Sequence, residues 1–253
     1  PIVSAADGSV VGAEALARWR NASGKVIAPG EFIPIAEECG WISKLGAQLM
    51  DEACRFMHDA KAAKLPIVPI SINVSPIQCR EPSFALELTS ALLKYGIEPA
   101  TVAIEITETA LMQNIAVARD CLETLRDAGV GIHIDDFGTG YSSLALLKEL
   151  PLNRLKIDRG FVADLDGKKE DRRILEAIAE LGGKLGFELV AEGVETKEQA
   201  DALREIGIDF LQGYYFSRPV GAQRLREILA TGQVFGGGPA LKAEAAAAGA
   251  PCL

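Results

Sequence analysis

Short apolar runs recur along this chain, separated by longer amphipathic stretches. Seven of the runs end in, or carry, a polar group. Glu14 lies in 10–15, Asn73 in 68–74, Glu105 in 102–106 and the pair Asp135-Asp136 in 130–136. Lys156 follows in 154–158, Glu192 in 188–193 and Gln212 in 210–213. The runs are short and rich in Ile and Val, as parallel strands buried on both faces should be. The pattern predicts strands near 10–19, 68–74, 101–106, 130–135, 153–157, 187–192 and 209–212, with a strand end at 1–3 before the turn at Asp7-Gly8. Helices are predicted from Pro29, over 42–64, and near 83–95, 114–128, 142–149, 170–185, 197–207 and 221–230. In the long one, Leu45, Leu49, Ala53, Phe56 and Met57 share a face. Eight strands alternating with helices predict an α/β fold of the (β/α)8 TIM-barrel type. A doubly wound open sheet is the rival, but no Gly-x-Gly-x-x-Gly turn follows an early strand.

Polar residues at the ends of strand after strand aim at one point, because a parallel barrel gathers its catalytic groups at the C-terminal ends of its strands. The gathered set is rich in carboxylates and poor in histidine, which suits hard divalent cations and phosphate chemistry.

Length and charge narrow the picture. With 253 residues, 49% of them hydrophobic, the chain can bury a substantial core. The formal charge of −9 and the lack of a basic stripe argue against DNA or RNA as partner. A phosphate ligand remains open if metal ions supply positive charge. Five scattered cysteines without Cys-x-x-Cys spacing read as reduced thiols of a cytoplasmic domain. No apolar run is long enough to span a bilayer, although a longer parent protein could carry an anchor. The chain opens on a strand that lacks a beginning, as a fragment of something longer would. Residues 1–230 read as one domain, and 231–253, Gly-rich and then Ala-rich, as a low-complexity tail.

The chemistry is sharpest at Asp135-Asp136. Two adjacent carboxylates repel each other and raise one pKa unless cations intervene; in a two-metal site one carboxylate can bridge ions roughly 3.5–4 Å apart. Capping of the turn after it is the plainer role for Asp136. Glu14, Asn73, Glu105 and Glu192 each sit among aliphatic residues, where a lone glutamate is costly. One shared metal site would satisfy them together; separate salt bridges at the barrel rim are the alternative. Lys156 could neutralise charge at a phosphoryl oxygen or pair with Asp158. Arg18 suits a phosphodiester or a surface ion pair. His133 and His58 are given no catalytic role.

Taken in order, these segments resemble the EAL domain family. The resemblance rests on Glu14-Ala15-Leu16 within residues 12–19, on Asn73 within 71–75, on Glu105 and Glu108 within 104–109, and on 135–143. It continues through Lys156 and Asp158, through Glu192 and Glu195 within 190–196, and through Gln212-Gly213-Tyr214. It implies a barrel whose first strand runs antiparallel. It also implies hydrolysis of cyclic di-GMP to linear pGpG by a water activated between two Mg²⁺ or Mn²⁺ ions; Ca²⁺, larger and looser in its geometry, is expected to occupy such a site and inhibit. By position it makes Glu14, Asn73, Glu105, Asp135, Asp136 and Glu192 metal ligands, Asp135 bridging. Lys156 matches a lysine beside the attacking water, and Glu192, Asp135 and Glu108 are counted as catalytic too. Glu108 matches a glutamate that holds the loop after Asp136. Arg18, Leu16, Asp158, Glu195 and Gln212 match substrate-contact positions. A homodimer coupled through the 137–143 loop and an upstream sensor or GGDEF domain are further implications. A receptor that binds the nucleotide with little turnover is the alternative function. The chain departs from the family in lacking the helix and fuller first strand that precede Pro1, an N-terminal truncation, and in Cys79, which replaces a bulkier residue and is expected to alter packing only.

Overall fold

The computed structural model of the protein describes residues 1–113, 115–140, 147, 150–163, 165, 169–232 and 234. Among them ten strands form: β1 (Ile2–Ser4), β2 (Val10–Ala15), β3 (Trp19–Arg20), β4 (Val26–Ile27) and β5 (Ile70–Asn73), then β6 (Val102–Thr107), β7 (Gly131–Phe137), β8 (Arg154–Ile157), β9 (Glu188–Ala191) and β10 (Phe210–Leu211). Eight of them close into a barrel in the order β1-β10-β9-β8-β7-β6-β5-β2. β1 runs antiparallel to both its neighbours, β10 and β2. Every other barrel pairing is parallel. The expected barrel with its antiparallel first strand is therefore present.

The strands close this way because they have no face to give to water. Ile104, Ile106, Ile132, Ile134, Leu155 and Ile157 are all buried. The helices outside the sheet cover them with Leu88, Leu92, Leu122, Leu125, Leu175 and Leu203, also buried. Helix ends are set locally. Thr196 and Gln199 form a reciprocal capping box, and Gly207 ends that helix in the left-handed region at φ +94°. A second box, Ser75 with Gln78, starts the short helix Pro76–Cys79 directly after β5 and so fixes the chain beyond Asn73.

The strand expected over 10–19 stops at Ala15. Trp19–Arg20 pairs instead with Val26–Ile27 as a separate hairpin. The cause is Asn21, whose Oδ1 accepts from the backbone N–H of Ser23 and of Lys25 and folds the chain back. Three short helices follow strand ends where the sequence pattern predicts no element: Pro76–Cys79, Glu108–Gln113 and Arg159–Ala163. The helix expected at 142–149 lies outside the described residues except for Leu147, and so does the tail, except for residues 231, 232 and 234. No helix among the described residues is long and apolar enough to cross a membrane.

Candidate active site

Residues matched across a parallel pair face the same side of the sheet. Asn73 is matched with Glu105, and Glu105 with His133. Those three form one row at the barrel interior, where Glu105 and His133 are buried. Asp135 stands two residues beyond His133, and Lys156 two beyond Arg154, its match on β8. The two-residue period puts both side chains inward, one layer nearer the C-terminal mouth. Glu14 lies near the end of β2, while Glu192 and Gln212 each follow their strand by one residue. Asp136 would point the opposite way from Asp135 in a regular strand. It does not stay regular: the pairing with β8 shifts register between Ile134 and Phe137, and Asp136 has φ +53°. Aspartate tolerates this left-handed backbone better than most residues, at a cost of about 1–3 kcal/mol.

At the centre is Lys156, 1% exposed. Its Nζ lies 2.6 Å from Glu105 Oε2, 2.5 Å from Glu192 Oε1, 3.0 Å from Asp135 Oδ1 and 3.4 Å from Glu14 Oε2. Glu14 also accepts from Asn73 Nδ2 at 2.6 Å and from Gln212 Nε2 at 2.8 Å. His133 Nδ1 sits 3.6 Å from Glu105 Oε1, an electrostatic contact too long for a hydrogen bond. Lys156 contacts carboxylates from four strands or strand ends, so the rim pair with Asp158 is not its role.

Four carboxylates share one ammonium, which leaves three negative charges uncompensated when all are ionised. The strain shows in proton affinity. Burial pushes the Glu192 carboxyl up to about 8, Asp135 and Glu14 adding to it against Lys156. Burial, then Glu105, raises Glu14 as well. Burial would also raise Glu105, but Lys156 and the polar groups around it hold that carboxyl at about 2. Asp136 is raised by burial, then by Asp135 and Asp158. Burial opposes the charge of Lys156, yet Glu105, Glu14, Glu192 and Asp135 hold its pKa well above the ordinary lysine value.

Two carboxylate triads can each present oxygens within 4.8 Å of one another: Glu14, Glu105 and Asp135, and Asp135, Asp136 and Glu192. Asp135 belongs to both. Glu105 Oε1 and Gln212 Oε1 are buried without a hydrogen-bond partner among the described residues, while Asp135 Oδ1 and Glu192 Oε1 are buried against the shared Lys156 ammonium alone. Buried acceptors left open in one place fit cations better than they fit a finished protein network.

Beside the cluster opens a cleft of about 310 Å³. Leu16, Arg18, Glu195 and Gln212, the positions that match substrate contacts by resemblance, line it together with Glu14 and Glu192. Asp158 is not among its lining residues; its Oδ1 accepts from Gly160 N–H. Glu108, fully buried, stands apart from the cluster and accepts from Gly138 N–H at 2.7 Å, so it grips the chain that leaves Asp136. Residues 141–143 of that loop lie outside the described residues. His58 is remote, its Nδ1 on the carbonyl of Tyr95.

Arg159 and Arg218, outside every motif quoted above, and Tyr214, quoted only as the end of the Gln212-Gly213-Tyr214 motif with no role, also line the cleft. The Arg218 guanidinium lies 4.4 Å from the Tyr214 ring centroid. Only the nearness of Arg159 to Asp158 and of Arg218 to Gln212 along the chain points to the two arginines. The two sides of the cleft meet at Gly213, where a Cβ would overlap the backbone of Val194. Gly213→Ala must push 212–214 away from 192–195, and overpacking of this kind costs about 1–3 kcal/mol. A melting temperature lowered by several degrees is expected, and an unchanged melt would show that the two segments do not need this close approach.

The sequence model of the EAL domain family matches residues 1–219. The chain is 41% identical over 225 residues to the bifunctional diguanylate cyclase/cyclic di-GMP phosphodiesterase MucR of Pseudomonas aeruginosa, a match covering 89% of this chain and 33% of that protein. It is also 41% identical over 229 residues to the cyclic di-GMP phosphodiesterase NbdA of the same organism, with 90% and 29% covered. This chain thus spans a third or less of these relatives. Among solved structures, the PaMucR phosphodiesterase in complex with cyclic di-GMP superposes with a TM-score of 0.85 at 41% identity, covering 89% of this chain and 91% of that one.

Proposed function

This chain belongs to the EAL domain family, and we propose that it hydrolyses cyclic di-GMP to linear pGpG with two Mg²⁺ or Mn²⁺ ions. The observation that carries the reading is the pair of carboxylate triads sharing Asp135. Glu14, Asn73, Glu105, Asp135, Asp136 and Glu192 are the proposed ligands, with Asp135 common to both ions. When bound, the ions supply Lewis acidity and a water nucleophile at neutral pH.

The chain's own residues do the rest. Arg18, with Arg159 and Arg218, gives positive charge to a cleft in an otherwise acidic protein, and Leu16 and Tyr214 give it apolar walls. That combination suits a phosphodiester flanked by purine bases. Gln212 holds Glu14 in place, and Glu195 lines the same wall of the cleft. Lys156 keeps its charge beside Asp135 and Glu192, where it stabilises the negative charge that develops at phosphorus. Glu192, 2.5 Å from the Lys156 ammonium, is held by it beside Asp135 as a ligand on the side of the attacking water. Asp158 shapes the field at Asp136.

Incubation with cyclic di-GMP and Mn²⁺ should yield pGpG, and a chelator should stop it. Tight nucleotide binding without pGpG under either ion would favour the receptor reading. Glu108→Ala should lower turnover by about tenfold, because Gly138 N–H loses its acceptor, worth about 1–3 kcal/mol, and the chain after Asp136 loses its anchor. Unchanged kinetics would leave Glu108 a packing residue only. A homodimer, to be checked by mass in solution, and an upstream sensor or cyclase domain of a cytoplasmic signalling protein complete the proposal. The bifunctional relative supports the second of these.

A further inference from the structure

Asn73 is the one neutral side chain in the proposed ligand set, and the one that is exposed. A neutral oxygen is drawn to a cation far less than a carboxylate is, so its placement depends on the chain that carries it. Its Nδ2 donates to Glu14 Oε1 at 2.6 Å, which leaves Oδ1 as the ligand atom. Just beyond it, Val74 N–H donates to the Glu105 carbonyl at 2.9 Å and ties the chain to β6.

The next residue makes the turn into the helix Pro76–Cys79. Ser75 Oγ accepts from Ile77 N–H at 3.2 Å, and Ser75 N–H donates to Gln78 Oε1 at 3.1 Å. Gln78 seats this turn against the helix Ile42–Ala62, where a Cβ on Gly46 would overlap its Nε2. A serine hydroxyl that accepts one hydrogen bond still has a proton to give. Ser75 gives it to Glu37 Oε1, 2.5 Å away on the helix Pro29–Glu38. Hydrogen bonds to an ionised acceptor are roughly twice as strong as neutral ones. Glu37, Ser75, Asn73 and Glu105 all line a second cavity, of about 200 Å³.

The far end of the same segment is held by a bond of the same kind. Ser43 Oγ donates to Glu81 Oε1 at 2.5 Å. Neither Ser43 nor Glu81 lines the cleft or the second cavity. Two serine–glutamate bonds thus fix residues 75–81, one beside the carboxylate cluster and one away from it.

We infer that Glu37 is a positioning residue for the metal site, acting through Ser75 to hold Asn73 where a divalent cation can use its oxygen. The inference rests on the two-metal reading proposed above. In this role Glu37 touches neither cation nor nucleotide. Its helix is brought to the site only by this bond and by the cavity wall, so the first turn of chain after β2 becomes part of the frame that sets cation affinity.

The test uses the full chain, freed of metal and titrated with Mn²⁺ while its melting temperature is read, so that the midpoint reports apparent affinity. Glu37→Ala should raise the midpoint about tenfold. Ser75→Ala should do the same, with the double variant adding nothing further. Glu37→Gln keeps an oxygen to accept from Ser75 and should stay at the parent value. Glu81→Ala should lower the metal-free melting temperature and leave the midpoint in place. In turnover, Glu37→Ala should lose rate at low Mn²⁺, regain it at saturating Mn²⁺ and keep the parent KM for cyclic di-GMP. A parent-like midpoint for Glu37→Ala, or a Glu37→Gln that matches it, would overturn the inference. So would a raised KM at unchanged midpoint, which would make Glu37 a nucleotide contact. A parent chain that Mn²⁺ does not stabilise fails the metal reading itself, whereas a parent shift that Glu37→Ala retains in full fails this inference alone.

Discussion

Asp135→Asn is expected to remove nearly all turnover, on the order of a hundredfold to a thousandfold, while the melting temperature holds or rises. The two halves of this result have one cause. Asp135 is the only residue common to both triads, so the substitution weakens both at once. The same carboxylate adds to the raised proton affinity of Glu14, Asp136 and Glu192. Replacing it with a neutral amide of the same shape relieves repulsion and leaves Lys156 with Glu105, Glu192 and Glu14. Lys156→Ala should lose activity as well, but with the opposite effect on stability, because the crowded carboxylates lose their one shared cation. Rates of pGpG formation at saturating Mn²⁺, with thermal melts of the metal-free proteins, separate the cases. A near-normal rate for Asp135→Asn would end its bridging role.

The barrel was legible because its strands carry their own signature: Ile-rich runs that leave no polar face, each closed by a residue unsuited to a core. Glu105 and Lys156 stood out for this reason, and the fold places them 2.6 Å apart. What the sequence hid was local backbone chemistry and convergence over long chain distances. Trp19 reads as a continuation of β2, and only the Asn21 turn assigns it to a hairpin. Adjacent aspartates in a strand imply opposite faces, and only the shifted register and the φ of Asp136 bring both to one site. Arg18, Arg159 and Arg218 come from three loops and helix starts, so no periodicity links them, and their shared cleft appears only once the barrel closes.

Calcium should separate binding from chemistry at this site. Ca²⁺ accepts six to eight oxygens at about 2.3–2.6 Å in flexible geometry, so carboxylates alone do not exclude it. The cluster has reason to take it up, since Glu14 and Glu192 resist ionising in the absence of added positive charge. Any divalent ion that neutralises them binds the folded chain and not the unfolded one, so Ca²⁺ should raise the melting temperature, as Mg²⁺ should. Turnover is more demanding. Mg²⁺ holds oxygens at about 2.0–2.1 Å in near-octahedral order, and a misplacement of about 1 Å between reacting groups can cost roughly a hundredfold. The larger ion should spread the oxygens of Asp135 and its partners, move the attacking water off line and lower its pKa less. The expected result is a protein that Ca²⁺ stabilises and still allows to bind cyclic di-GMP, but whose rate at fixed Mg²⁺ falls as Ca²⁺ rises. If Ca²⁺ as the only divalent ion supported an undiminished rate, ion size would not control the chemical step, and the shared carboxylate would be no more than an anchor.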